Sequence, residues 1–501
     1  MVVRTDALPE GDVARRALRA VAWNYIGWFL GKAAVLVSTA VLARVLSPAE
    51  FGLVGFATVA IAYLAVLQDL GLGAALIQRR DDIDDAADTV FTFNLSVGAV
   101  LAIVTVIGAP LVGSFFDEPD VVPLVRVLGL TFVLNALSTT HGALLERRLS
   151  FARKTAPDVG SAVVKGVVAI TCASLGMGAW SLVIGQVAGS VAAAGLSWAV
   201  LPWRPRLRIH RPLIRSLTKF GGVVMVADLV HAVVANLDYV IVGKVLGGTL
   251  LGIYVLSYRL PQLLLLGVVA VLNRALFPAF AEVQDRQDAL RRGVLATARY
   301  LPMVVVPIGI GLIVAAEPIV LGVLGDQWRD AIPVMRVVAA SAVVSSLMVS
   351  DGHVYKATGR PGVLAGFALL KLVLLVPALL IGVHHGLVWV AMAHLVTTAI
   401  VKTGRAVVAA RIVDVSIATL LREMRPVVVP ATALLIVASA LTAVTGSLDS
   451  VVRLAVIAIG GAATYIVLLV RREGDSLRHI VSLVRKRDSS DAERETPGEP
   501  T

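Results

Sequence analysis

Apolar runs of roughly twenty residues recur along almost the whole chain, separated by short polar, Gly- or Pro-marked breaks. Runs of that length match helices crossing ~30 Å of hydrocarbon at 1.5 Å per residue. Reading the breaks as loops predicts helices at 22–45, 51–77, 89–112, 121–145, 157–176, 178–200, 219–245, 250–280, 297–325, 331–357, 361–382, 386–410, 426–446 and 449–470, fourteen in all. An even number of crossings returns the chain to its starting side. The fold class expected is an all-α polytopic membrane protein of about 14 transmembrane helices.

Composition agrees with this pattern. Of the 501 residues 57% are hydrophobic and 16% charged, against about 45–50% apolar and about 25% charged in soluble proteins. Mean hydropathy is +0.86, an excess no soluble core could hide. The single cysteine, Cys172, excludes a disulfide scaffold and a cysteine-ligated metal site. No metal and no cofactor are expected.

The formal net charge of +11 would suggest nucleic acid in a soluble protein, but here position matters more than the sum. The basic residues cluster in alternate loops: the N-terminal segment, Arg79–Arg80, Arg147 to Lys154, Arg204 to Lys219, Arg286 to Arg299, Lys356 and Arg360, Lys402 to Arg425, and Arg471 to Arg487. The intervening loops contribute Arg329 alone, with Arg44, Lys244 and Arg453 near helix ends. By the positive-inside rule this places both termini in the cytoplasm, in a multi-pass protein of the cell (plasma) membrane whose basic loops meet membrane lipids. Nucleic acid is not an expected partner. The polar start, residues 1–20, has no h-region before a cleavage site, so no cleaved signal peptide is expected.

The two halves repeat. Ala43-Arg44-Val45-Leu46 with Gly52 faces Gly243-Lys244-Val245-Leu246 with Gly252 at an offset of 200, and Pro123-Leu124-Val125-Arg126-Val127 faces Pro333-Val334-Met335-Arg336-Val337 at 210. An offset of six helices preserves membrane orientation, giving two parallel six-helix lobes plus two C-terminal helices, a transporter design. The expected organisation is a cytoplasmic segment 1–20, an N-lobe 21–202, a basic linker 203–218, a C-lobe 219–411, two further helices within 412–471, and a cytoplasmic, partly disordered tail 472–501.

Ionisable residues inside a span are costly and by default mark a site. The deepest cations are Lys32, Lys165, Arg259 and Lys371, two from each half, and they are the candidates for holding a phosphate or diphosphate in a central cavity. The alternative is that Arg259 pairs with Asp228 or Asp238, while Lys32 and Lys371 snorkel to an interface. Asp69, Asp228, Asp238 and Arg336 are the candidates for ion coupling or gating. Arg44, Lys244, Arg126 and Arg336 recur at equivalent repeat positions near span ends, as anchors or gate residues. His231 and His394 lie within spans, where a histidine relays protons or, more often, only bridges helices. No catalytic constellation is present: there is no Gly-x-Ser-x-Gly, no phosphate-binding Gly-Lys-Ser/Thr and no HExxH. An enzyme is not expected.

Four stretches carry a family resemblance: Leu46-Ser47-Pro48-Ala49-Glu50-Phe51-Gly52-Leu53 with Asp69-Leu70-Gly71-Leu72; Leu237-Asp238-Tyr239-Val240-Ile241-Val242-Gly243-Lys244 with Leu251-Gly252-Ile253-Tyr254 and Tyr258-Arg259-Leu260; Phe277-Pro278-Ala279-Phe280; and Gly325-Asp326-Gln327-Trp328. Together they resemble the polysaccharide transporter branch (Wzx-type, lipid-linked oligosaccharide flippase) of the multidrug/oligosaccharidyl-lipid/polysaccharide exporter superfamily, over residues 20–410. The resemblance implies a MATE-like pair of lobes and movement of an undecaprenyl-diphosphate-linked sugar from the cytoplasmic to the outer leaflet. It also implies polysaccharide polymerase and glycosyltransferases as partner candidates. It brings no ligand motif, so the four cations rest on burial logic alone. A cation-coupled multidrug exporter, a peptidoglycan lipid-precursor flippase and a membrane polysaccharide ligase or polymerase are the alternatives left open.

Overall fold

The computed structural model describes residues 10–68, 71–79, 81–148, 150–210, 229–230, 232–267, 269, 280, 286–347 and 350–493. Among them every regular element is helical. The helices are α1 (Glu10–Val45), α2 (Pro48–Gln68), α3 (Leu72–Gln78), α4 (Ile83–Phe116), α5 (Val121–Leu128), α6 (Leu130–Arg147), α7 (Phe151–Ser174) and α8 (Ala179–Val200). They continue with α9 (232–246), α10 (Gly248–Pro261), α11 (Gln287–Val314), α12 (Ala331–Leu347), α13 (Ser350–Ala357), α14 (Pro361–Gly382), α15 (Leu387–Ile412), α16 (Ile417–Glu423), α17 (Arg425–Val444) and α18 (Ser450–Glu493).

Twelve segments of the described residues are long and apolar enough to cross a membrane, and they coincide with twelve of the fourteen expected spans. The other two expected spans, 219–245 and 250–280, are helical at 232–246 and 248–261, and much of the remainder lies outside the described residues. Boundaries move in places. The span expected at 297–325 lies at Gln287–Val314, and the expected span 51–77 is broken after Gln68, with Gly71 in a left-handed φ of 67° before α3 begins. Outward-facing Ile107 and Leu111 are 73% and 72% exposed, apolar surface that hydrocarbon solvates and water does not. The chain is a multi-pass membrane protein.

The chain folds into two compact units, Met1–Leu263 with Val323–Val334 and Gly362–Thr397 in one, and Leu264–Gly322, Met335–Pro361 and Thr398–Thr501 in the other. Within the first unit, the turn from α1 to α2 is fixed by local chemistry. Ser47 N–H and Oγ–H both donate to Glu50 Oε2, at 2.7 and 2.9 Å, and Glu50 N–H donates back to Ser47 Oγ at 3.3 Å. This is a capping box, with Pro48 supplying the first helical residue that needs no N–H partner. The buried Trp328 seals the same corner, its indole N–H donating to Ala43 O at 2.7 Å while Phe51 meets its ring edge-on at 5.2 Å.

Glycine sets how closely α2 and α10 approach. A Cβ on Gly52 would lie 1.7 Å from Gly248 O, and one on Gly252 would lie 2.0 Å from Pro48 O. Residues 48 and 248, and 52 and 252, stand at the repeat offset of 200, so the two close approaches are one contact made twice. Backbones this near each other exclude any larger side chain. Immediately after α10, Pro261 is followed by a π-helical turn, Gln262–Leu266, a local widening that often accompanies function.

Within the second unit, ion pairs and a hydroxyl fasten the C-terminal helices. Arg299 of α11 binds Glu473 of α18 at 2.6 Å and lies 3.7 Å from Glu423 of α16. Arg453 of α18 reaches Glu317 at 3.2 Å, and Tyr465 OH donates to Met303 O at 2.8 Å. The last helix runs to Glu493 across a non-helical residue, Glu473.

Candidate functional site

Lys165 on α7 and Arg259 on α10 open into one cavity of about 110 Å³, shared with Ser38, Thr39, Thr58 and Gln186 among apolar residues of α1, α2, α5, α7, α8 and α10. Two cations from separate helices therefore face the same small space. Among the described residues no carboxylate lines it, and neither cation forms an ion pair with any of them. Lys165 Nζ donates to Gln186 Oε1, a neutral acceptor that orients the ammonium without cancelling its charge. A space with two uncompensated positive charges and several hydroxyls is suited to an anion with multiple oxygens, such as a phosphate or diphosphate.

The local sequence explains how Lys165 comes to stand there. Gly185 and Gly189 are four apart on α8, one on each side of Gln186. A Cβ on Gly189 would be 2.9 Å from Lys165 Cβ, and one on Gly185 would be 2.8 Å from Lys165 O. The small-xxx-small pair lets α8 lie directly on α7 and brings Gln186 to the lysine head. On the opposite side, Gly166 accommodates Ser38 of α1, whose Cβ would be 2.9 Å from a side chain there.

Asp238 lies elsewhere in the same unit. It is 1% exposed and receives the Tyr254 hydroxyl at 2.9 Å on Oδ2, with His394 Nε2 3.2 Å from that oxygen. Tyr254 OH and Tyr258 OH are 3.0 Å apart, and Asp238 Oδ1 is buried without a hydrogen-bond partner among the described residues. Of the two carboxylates expected as alternative partners of Arg259, Asp238 faces tyrosine and histidine instead, and Asp228 lies outside the described residues.

The remaining candidates separate. Lys32 is exposed on α1, its Nζ 5.9 Å from the Trp28 ring centroid. It does not line the cavity, but stands three, seven and ten residues before the lining residues Val35, Thr39 and Leu42, on the same face of the helix. Lys371 is half-buried on α14 and does not line the cavity. Arg336 is exposed on α12. Asp69 and Asp228, like His231, lie outside the described residues. Of the span-end residues, Arg44 Nε donates to Val323 O at 3.1 Å, and Lys244 pairs with Asp117 at 2.6 Å.

Sequence reasoning overlooked Gln186, Tyr254 and Tyr258, and gave His394 a bridging role without its partner. The signals were present but weak: a glutamine inside a glycine pair on α8, and two tyrosines one turn apart after a glycine. It also missed Arg405, whose Nε is 2.7 Å from Asp351 Oδ2 in the second unit, because that arginine counted only as a loop charge.

Residues 41–333 match the family model described as polysaccharide biosynthesis protein. The chain belongs to this family. The chain is 27% identical over 352 residues, 70% of its length and 73% of the relative's, to the teichuronic acid biosynthesis protein TuaB of Bacillus subtilis. It is 25% identical over 377 residues, 74% of its length and 76% of the relative's, to the lipopolysaccharide biosynthesis protein WzxC of Escherichia coli. Among solved structures, a lipid II flippase MurJ superposes with a TM-score of 0.71 at 14% identity, covering 91% of this chain and 99% of that one. At that identity the likeness is one of fold. The polysaccharide biosynthesis family thus has here the MurJ-like, all-helical membrane architecture that the sequence pattern predicts.

Proposed function

We propose that the protein is a flippase that moves an undecaprenyl-diphosphate-linked oligosaccharide from the cytoplasmic to the outer leaflet by alternating access, for cell-surface polysaccharide synthesis. The observation that carries this reading is the pairing of Lys165 and Arg259 in one intramembrane cavity that no carboxylate lines among the described residues. A diphosphate in that cavity neutralises both cations at once, and its lipid tail remains in the bilayer. A cavity meant for cationic drugs needs the opposite sign. The names of the relatives, teichuronic acid and lipopolysaccharide biosynthesis proteins, agree with a saccharide substrate, and so does the family description.

In this reading the termini face the cytoplasm, and the parallel six-helix repeats at 21–202 and 219–411 rock about the substrate. Lys32 extends the cationic track along α1, and Lys371 contributes from the other half. Glycosyltransferases and a polysaccharide polymerase act before and after the protein. Asp238, held by Tyr254 beside His394, is the coupling carboxylate. Its neutral variant Asp238→Asn is expected to bind substrate normally but to lose the response to an imposed proton or sodium gradient. An unchanged response would remove Asp238 from that role.

The test of the main reading is leaflet-resolved measurement of undecaprenyl-linked sugars in cells depleted of the protein and complemented with wild type, Lys165→Ala or Arg259→Ala at matched expression. Inner-leaflet intermediates are expected to accumulate on depletion and with either variant. Unchanged intermediates together with altered sensitivity to cationic drugs would favour a drug exporter instead.

A further inference from the structure

A second cavity, of about 270 Å³, lies among α2, α4 and α6 and is lined by Ala65, Gln68, Asn94, Asn135, Ser138 and Thr139. Among the described residues its lining contains three amides and two hydroxyls, and no charged group. Gln68 donates its amide N–H to Phe132 O, leaving Oε1 as an acceptor. Ser138 and Thr139 both donate to Asn135 O, at 3.0 and 2.8 Å, leaving their oxygen lone pairs to receive hydrogen bonds. Asn94 is 3% exposed, and its Oδ1 is buried with no partner among the described residues. A buried amide oxygen left unsatisfied costs stability unless something else supplies the donor.

The packing beside the cavity is specific. A Cβ on Gly98, one turn after Asn94, would stand 2.7 Å from Phe132 O, the same carbonyl that receives Gln68. Three helices therefore converge on one carbonyl, and an amide from each of them lines the adjoining space. Asn135 is exposed at its margin, so the cavity is open on one side.

The lining chemistry narrows the ligand. A phosphate needs cations, a divalent metal ion needs carboxylate charge to replace its hydration shell, and an apolar drug needs apolar and aromatic walls. Neutral amides and hydroxyls, each able to donate or accept, match the hydroxyl and acetamido groups of a sugar ring. Position points the same way. On α2, Thr58 lines the Lys165–Arg259 cavity and Ala65 and Gln68 line this one. They are seven and ten residues apart on one face of the helix, about 10–15 Å along its axis.

We propose that this cavity is the glycan subsite of the translocation path, where Asn94 and Asn135 hydrogen-bond a neutral sugar unit while the attached diphosphate sits between Lys165 and Arg259. The proposal rests on the flippase reading above and adds a determinant of sugar selectivity.

The test uses the full-length protein in proteoliposomes with two lipids, the host's own undecaprenyl-diphosphate oligosaccharide as substrate and sugar-free undecaprenyl diphosphate as competitor. Asn135→Ala, at an exposed position that should leave folding intact, and Asn94→Leu, which fills the cavity, are each expected to raise half-saturation for the glycosylated lipid about tenfold. Inhibition by the sugar-free lipid should stay within about twofold of wild type, whereas Lys165→Ala should weaken both. Equal shifts for both lipids, or none for either, would overturn the glycan subsite. If wild type moves no glycosylated lipid at all, the flippase reading itself fails, whatever the asparagine variants do.

Discussion

Two half-buried arginines in this protein are built on opposite terms. Arg405, in the second unit, is clamped by Asp351, with Nε 2.7 Å from Oδ2 and a terminal nitrogen 3.0 Å from Oδ1. Gly352 N–H also donates to Asp351 at 2.6 Å, and Tyr355 OH donates to Arg405 O. Arg259, in the first unit, shares its cavity with a second cation and with hydroxyls, and has no carboxylate partner among the described residues. The first arrangement is closed: charge meets charge, and the carboxylate, 3% exposed, has its partners. The second is open and favours an incoming anion. An intramembrane charge marks a binding site when its neighbours leave it uncompensated, and a structural tie when they do not.

The contrast predicts a division of effects. Removing both open cations, Lys165→Ala with Arg259→Ala, is expected to lower transport at least about a hundredfold, since a charge-assisted hydrogen bond contributes about 1.5–3 kcal/mol each. Thermal stability should hold or rise, because two like charges no longer face one cavity. A matching loss of stability would show that the cavity is a structural element. Arg405→Ala is expected to do the reverse. Leaving Asp351 buried without its guanidinium should cost about 3 kcal/mol of stability, and replacing both partners with apolar residues should recover most of it. Melting of the purified variants separates these cases.

These two arrangements also show what the sequence could and could not reveal. Span positions were legible because a twenty-residue apolar run has few other uses, and so was the repeat that becomes the Gly52–Gly252 packing; the capping box at Ser47–Glu50 was not read from the sequence. Lys165 and Arg259 were legible as intramembrane charges, but so were Lys32 and Lys371, and nothing in the composition separates a cation that lines the cavity from one that does not. The difference lies in which helices meet. Gly185 and Gly189 bring α8 onto Lys165, whereas Lys32 sits an extra turn along α1 and is exposed. Asp351 and Arg405 are 54 residues apart, a pairing that only the fold creates. The uncharged pocket around Asn94 carried no signal at all, since asparagine, serine and threonine do not stand out among membrane helices that use them to bond neighbouring turns.

Gly189→Val sharpens the comparison without touching a charge. Its first side-chain atom would press on Lys165 Cβ, 2.9 Å away, and overpacking of this kind costs about 1–3 kcal/mol. If the open cavity depends on where α8 places Lys165 and Gln186, transport should fall about tenfold with apparent substrate affinity, while Gly195→Val, on the same helix with open space around it, should change neither. Equal behaviour of the two glycine variants would mean that α7–α8 spacing does not set the site.

The smallest effect is expected at Lys32. It continues the cavity face of α1 but stands exposed over Trp28, where solvent or headgroups screen its charge, and exposed charges contribute well under 1 kcal/mol in most settings. Lys32→Ala should therefore reduce transport only about twofold to threefold, and raised ionic strength should erase the difference, because screening already removes what the lysine offers. Lys165→Ala should keep its defect at the same salt, since a cation inside a small cavity is screened far less. A Lys32 defect as large and as salt-resistant as that of Lys165 would mean that the cationic site reaches a full turn further along α1 than the cavity walls indicate, and that exposure in this structure is a poor guide to which cations meet the substrate.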